Sequence, residues 1–413
     1  MRPLISGDPG ILGLLAVTLG LVFFTARSQR PVFRSFYKYV PSLLLCYFIP
    51  SLFNTFGIID AEGSRLYFVA SRYLLPATLV LLTLSIDFKA IMRLGPKALI
   101  MFLTGSVGVV LGGPLALLLF SWISPETVGG EGPQAVWRGL ATIAGSWIGG
   151  GANQAAMKEV FGVPDDLFAA MIAVDVLVAN VWMAILLYMA ARSADIDRRM
   201  GADTSAIDEL RIRVTEFRER YARIPTLPDI MILLAVGFGA MGLSHALGEP
   251  LAAWIARTAP ALERLSLTSG FFWIVFIATT IGLLLSFTRA RELEGVGAST
   301  IGSAMLYFLV ATIGMNMNIS AVVERPLLFA LGAVWISVHA ILLLVVGRLI
   351  KAPTFYLAVG SQANIGGAAS APVVASAFHP SLAPVGVLLA VLGYALGTYG
   401  GWLCGQIMRV IAE

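Results

Sequence analysis

The chain alternates long apolar runs with short polar loops, and the apolar runs are too continuous for the core of a soluble domain. In the first half, runs of spanning length cover about 9–26, 39–57, 67–87, 97–123 and 165–190. In the second they cover about 228–247, 271–287, 299–318, 326–348 and 382–408. A transmembrane helix needs about 20 apolar residues, so the pattern predicts five crossings in each half. One further apolar run in each half, 135–161 and 352–378, is interrupted by glycine, serine and side-chain amides. Such residues weaken a helix, and at membrane depth a broken backbone survives only where protein buries it or it lines a watery cavity.

The two halves repeat one another. Pro9 to Gly20 aligns without gaps on Pro228 to Gly239 with 7 of 12 positions identical, well beyond what shared hydrophobicity gives. Leu84 to Ile91 pairs in the same way with Met315 to Val322, and the interrupted runs pair at a similar offset. The predicted organisation is a first repeat over 1–190, a linker over 191–227 and a second repeat over 228–413.

Charge decides how the repeats relate. If both interrupted runs are re-entrant hairpins and the N-terminus is outside, the inner loops hold 19 of the 28 basic residues, as the positive-inside rule requires. A full crossing by the first interrupted run would instead put the arginine-rich linker opposite the Arg27 to Lys38 loop. Re-entry is therefore expected, and five crossings per half make the halves inverted copies. Both termini then lie outside and the linker is cytoplasmic. Within the linker, Ile207, Leu210, Val214, Phe217 and Tyr221 form one apolar helical face among arginines, which suits a helix on the membrane surface.

Composition agrees with this reading. Hydrophobic residues make up 58% and charged residues 13%, with a mean hydropathy of +0.85, about half the charge of an ordinary soluble domain. The net charge of +4 lies in loops, so a topogenic role explains it better than nucleic acid. Cys46 and Cys404 sit inside apolar runs and are expected to pack rather than to form a disulfide framework. No small-x-small cleavage site follows the run from Ile11 to Ala26, which is taken as a retained span. The three histidines are dispersed without metal-ligand spacing or a nucleophile motif, and no phosphate-binding loop is present. Enzymatic and ATP-driven activity are therefore not expected, and His339 is expected to pack or hydrogen bond.

The candidate chemistry lies in the interrupted runs. Gly145, Ser146, Gly149, Gly150, Gly151, Asn153 and Gln154 in the first, with Gly360, Ser361, Gln362, Asn364, Gly366 and Gly367 in the second, provide tight backbone and uncharged donors and acceptors. If the hairpins enter from opposite faces their tips meet near the midplane. There, first-arm carbonyls suit a cation and second-arm amides suit an anion. Asp175 lies deep in the following span and is expected to carry a proton or ligate a cation. Its aligned position in the second half is Val391, so only one half carries the acid. Asn180 is a further candidate on the same helix, and Asp87, Asn316 and Asn318 are second-tier candidates near span ends.

The Gly-Ser-Trp-Ile-Gly-Gly-Gly-Ala-Asn-Gln stretch, the Gly-Ser-Gln-Ala-Asn-Ile-Gly-Gly stretch and the intervening Asp175 together resemble the membrane-protein family termed domain of unknown function 819, over nearly the whole chain. That family is similar to a grouping that holds sodium/glutamate symporters, bile-acid/sodium symporters and cation/proton antiporters. The resemblance implies an inverted-repeat transporter, often a homodimer, with a core domain moving against a scaffold. It carries the substrate-site role onto residues 145–154 and 360–369. The paired acids of the antiporter core are absent, since Asp175 has no acidic neighbour, which counts against electrogenic sodium/proton exchange.

The expectation is an all-α polytopic protein of the bacterial inner membrane. It would be a secondary active transporter that moves a small polar or anionic solute and is coupled to sodium or protons, with no cofactor beyond a sodium ion. Its partners would be a small-molecule substrate, the lipid bilayer and a second copy of itself, and no nucleic acid. An ion channel or a sodium/proton exchanger is the alternative, and a membrane-embedded enzyme a weaker one.

Overall fold

The computed structural model describes the chain apart from residues 1, 2, 41, 62, 87–90, 93, 203–223, 266, 317–325, 380 and 381. The apolar face expected in the linker, Ile207 to Tyr221, lies outside the described residues, as do Asp87 and Asn318. Among the described residues the fold is helical, with one isolated bridge between Ile5 and Ile59.

The first half consists of α1 (Asp8–Ala26), α2 (Pro31–Tyr39), α3 (Ser42–Thr55), α4 (Leu66–Leu84), α5 (Pro96–Ile123), α6 (Val136–Gly149), α7 (Gly151–Val160) and α8 (Asp165–Ala191). Helix α9 (Ser193–Met200) leads into the linker. The second half consists of α10 (Leu227–Thr258), α11 (Gly270–Leu285), α12 (Ala298–Gly314), α13 (Leu327–Leu349), α14 (Thr354–Ile365), α15 (Gly367–Phe378) and α16 (Ala383–Ala412). The elements follow one order in both halves, except that among the described residues α2 has no partner in the second.

Local chemistry explains several boundaries. Proline occupies the first turn of α1, α5 and α10, where a missing N–H costs nothing. Thr226 and Asp229 close a capping box on α10, with the Thr226 N–H donating to Asp229 Oδ2 at 2.9 Å. Helix α4 contains one π-helical turn, Ala70–Leu74, and this turn points Arg72 at the neighbouring bundle.

Among the described residues seven helices are long and apolar enough to cross a membrane, or eight if α11 and the Arg289–Val296 turn, bent by 95°, count as one span. The ten crossings expected from hydropathy thus include three shorter helices: α3 with 14 residues, α11 with 16 and α12 with 17. At 1.5 Å per residue these measure about 21 to 26 Å, short of the ~30 Å hydrocarbon core. Pro50 lies inside α3, and hydropathy alone did not register where these helices stop.

The helices sort into two bundles. In one, α1, α3, α4, α10, α11 and α12 pack together, α4 against α10, α11 and α12 and α3 against α1 and α12. In the other, α5 and α13 run antiparallel as a central pair that packs against α6, α8, α14 and α16, and α7 and α15 join it through α6, α14 and α16. Small residues allow the close approach in the central pair. A Cβ on Gly112 or Gly113 would fall 2.6 Å from the Trp335 ring, and the Trp335 indole N–H donates to the Val109 carbonyl at 2.8 Å. The bundles meet where α4, α11 and α12 touch α7, and where α4 and α11 touch α16.

Candidate functional site

Both interrupted runs fold back on themselves. Helix α6 ends at Gly149, Gly150 adopts φ +74°, and α7 starts at Gly151. A residue with a Cβ rarely adopts that φ, so the turn depends on glycine. The returning arm brings Met157 within 2.8 Å of a Cβ built on Gly145, and Phe161 packs edge-on to Trp137 with ring centroids 5.6 Å apart. A continuous helix would hold residues 137 and 161 about 36 Å apart. The second run repeats this geometry. Helix α14 ends at Ile365, Gly367 adopts φ +59°, and the Phe355 and Phe378 rings meet at 5.3 Å.

The two hairpins are rooted at opposite ends of the central pair. Near the base of the second, the Tyr356 hydroxyl donates to the Leu94 carbonyl and Lys97 Nζ to the Lys351 carbonyl, both at the start of α5. The base of the first adjoins the short Pro125–Val128 helix that follows α5. The tips meet between these ends: a Cβ on Gly367 would lie 3.9 Å from Gly150 Cα. Gly149, Gly151 and Gly366 flank this contact in sequence.

Asp175 on α8 faces the first hairpin and is 7% exposed. Its carboxylate accepts from Ser146 Oγ at 2.6 Å, Trp147 Nε1 at 2.7 Å and Gln154 Nε2 at 2.9 Å. All three donors are neutral, and among the described residues no basic side chain forms an ion pair with it. A buried carboxylate without a cation is costly, and charge-assisted hydrogen bonds of about 1.5–3 kcal/mol each offset only part of this.

The two asparagines brace the tips. Asn153 Nδ2 donates to the Gly149 carbonyl at 2.9 Å and the Tyr394 carbonyl at 3.0 Å, while its oxygen accepts from Thr398 Oγ1 at 2.6 Å. Asn364 does the same in the second hairpin, donating to the Gly360 and Phe102 carbonyls at 2.9 Å and accepting from Ser106 Oγ at 2.6 Å. Both amides therefore tie a hairpin to a long helix, and both donor hydrogens are engaged. The serines differ: Ser146 donates to Asp175, whereas Ser361 accepts from the Trp182 indole and bonds His339 Nε2, both at 2.8 Å. His339 also bonds the Gly105 carbonyl at 2.9 Å. Gln362 Nε2 donates to Ser370 Oγ, but its Oε1 is buried without a partner.

Asn180 stands apart from this group. Its amide donates to the Val176 carbonyl of its own helix at 2.7 Å and the side chain is partly exposed, because five residues turn it about 140° away from Asp175. Asn316 likewise bonds the Thr312 carbonyl one turn back, at the end of α12.

Two features escaped the sequence reading. Gly393, Gly397, Gly401 and Gly405 form a stripe on α16 against which α6 lies; a Cβ on Gly397 would fall 2.6 Å from Gly149 Cα, and one on Gly401 2.9 Å from Gly145 Cα. Their spacing of four was visible in the sequence. The second feature has no local signal. At the base of the first hairpin, Glu159 pairs with Arg72 at 2.8 Å and accepts from the Tyr67 hydroxyl. Lys158 pairs with Asp165 at 2.9 Å and donates to Tyr67 at 2.7 Å. This network crosses between the bundles.

The sequence profile of the family described as "Protein of unknown function (DUF819)" matches residues 13–411. The Bacillus subtilis (strain 168) protein described as "Uncharacterized membrane protein YjcL" is similar, with 24% identity over 373 residues and 86% of each chain covered. With its paired glycine hairpins placed tip to tip around a helical membrane fold, the chain belongs to the DUF819 family.

Proposed function

We propose that the protein is a secondary active transporter of elevator type that moves a small polar organic solute and is driven by sodium or protons bound at Asp175. Its halves are read as inverted repeats, with α6–α7 and α14–α15 as re-entrant hairpins. The hairpin bundle is the moving core and the other bundle the scaffold. The protein is placed in the bacterial inner membrane as a homodimer, with both termini outside and the linker cytoplasmic.

One observation carries this reading. Two broken, glycine-turned hairpins rooted at opposite ends touch at their tips, a turn away from a buried carboxylate that has no ion-paired basic side chain among the described residues. Paired discontinuities of this kind are where transporters of inverted-repeat design bind solute and ion, and an unpaired acid at this depth is best explained by the cation it binds. Alternation also requires one end of the bundle interface to be held shut. The Lys158, Glu159, Tyr67 and Arg72 network supplies a closure at the end where the first hairpin is rooted.

The test is uptake into proteoliposomes across a panel of solutes under imposed sodium or proton gradients. Gradient-driven accumulation that disappears in Asp175→Asn supports the proposal. Passive ion conductance without accumulation of any solute refutes it in favour of a channel.

A further inference from the structure

A cavity of about 550 Å³ lies between α1 and α12 of the scaffold bundle and α16 of the core bundle. It begins at Tyr394, whose ring carbon would lie 3.7 Å from a Cβ on Gly150, at the tip of the first hairpin. From there it runs along Val391 and Val387 towards the end at which the second hairpin is rooted, away from the Lys158 and Glu159 closure. Its volume suits a small organic molecule.

The walls are aromatic and aliphatic with a few hydroxyls. Phe23, Tyr307, Phe308 and Tyr394 supply four rings, and Ser299 and Ser303 supply hydroxyls. Phe23 and Tyr307 stand edge to face with centroids 4.6 Å apart. Among the described residues no lysine, arginine or histidine lines the cavity. One carboxylate flanks it instead. Beside Ser299, Glu294 accepts from Ser299 N at 2.9 Å, Ser299 Oγ at 2.6 Å and Ser85 Oγ at 2.6 Å, all neutral donors.

An anion here would meet the Glu294 carboxylate beside Ser299 and, among the described lining residues, no basic side chain. An ammonium group would meet ring faces, which attract cations through their quadrupole, as well as hydroxyl oxygens. We infer that this cavity is the solute site and that it takes a small organic cation, an amine with an apolar body. The inference rests on the transporter reading and narrows its solute to the cationic class.

The test is calorimetric titration of the full chain in nanodiscs with n-butylammonium, tetramethylammonium and n-butyrate at fixed ionic strength. Binding of both ammonium ions and not of butyrate is expected. Tyr307→Phe keeps the ring and should preserve affinity, whereas Tyr307→Leu should weaken it by about twofold to thirtyfold. Ser303→Leu, which fills the cavity from a half-buried position, should abolish binding. Butyrate binding as tightly as butylammonium, or unchanged affinity in both leucine variants, overturns the inference. The two claims fail separately. Ammonium binding without proteoliposome uptake of any solute refutes the transporter and leaves the site. Gradient-driven uptake of an anion without ammonium binding refutes the site and leaves the transporter.

Discussion

Replacing Asp175 by asparagine and by alanine separates its charge from its hydrogen bonds. In the native protein the carboxylate receives Ser146, Trp147 and Gln154 within 2.6–2.9 Å. Asparagine keeps an oxygen for the Trp147 indole, the Ser146 hydroxyl can rotate to accept, and Gln154 can turn its amide to meet the new donor. Asp175→Asn should therefore stay within about 1–2 kcal/mol of the native stability. Alanine leaves three buried donors unmet at about 1–3 kcal/mol each, so a loss of at least about 3 kcal/mol is expected. Unfolding midpoints in detergent should rank native, then asparagine, with alanine well below. In proteoliposomes, asparagine should retain solute counterflow and lose gradient-driven accumulation, because the charge that binds the driving ion is gone. Equal stability of the two variants would refute the hydrogen-bond reasoning. Intact gradient-driven accumulation in Asp175→Asn would refute the coupling role.

Four further outcomes follow from the packing and the ion pairs. Gly397→Ala should destabilise by about 1–3 kcal/mol, since its methyl would fall 2.6 Å from Gly149 Cα, whereas Gly239→Ala, with nothing within 4 Å, should be neutral or stabilising; thermal midpoints compare them. Ser106→Ala removes the hydroxyl that donates to the Asn364 oxygen, so a loss of about 1–3 kcal/mol is expected in the same assay. Arg72→Met leaves Glu159 only the longer contact to Lys158 Nζ at 3.7 Å; because Arg72 is 31% exposed and Glu159 12%, the loss should be on the order of 2 kcal/mol, below that of a fully buried pair. Arg198→Ala, with both partners mostly exposed, should change nothing measurable.

Much of the architecture was legible because glycine and hydropathy act locally. The breaks at Gly150 and Gly366–Gly367 could be read directly, since positive φ at a membrane-depth turn demands glycine. The depth of Asp175 in its span was likewise plain. What could not be read was which partner each polar group finds. Asn153 and Asn364 are plain in the sequence as candidate site amides, but the carbonyls to which they donate lie more than 240 residues away. The Arg72–Glu159 pair spans 87 residues, so no local pattern announces it. The glycine stripe on α16 was written in the sequence at intervals of four, but small residues on an apolar helix become meaningful only once the opposing helix is known.

The most direct measurement of the central claim, that the hairpin bundle moves against the other bundle, is a reversible lock between them. Thr279 on α11 and Thr398 on α16 face each other across the interface with hydroxyls 3.1 Å apart. In a background with Cys46 and Cys404 replaced by alanine, Thr279→Cys and Thr398→Cys bridged by Hg²⁺ should abolish uptake while leaving the protein folded, and a thiol reductant should restore it. Uptake at an undiminished rate with the bridge fully formed would contradict the account.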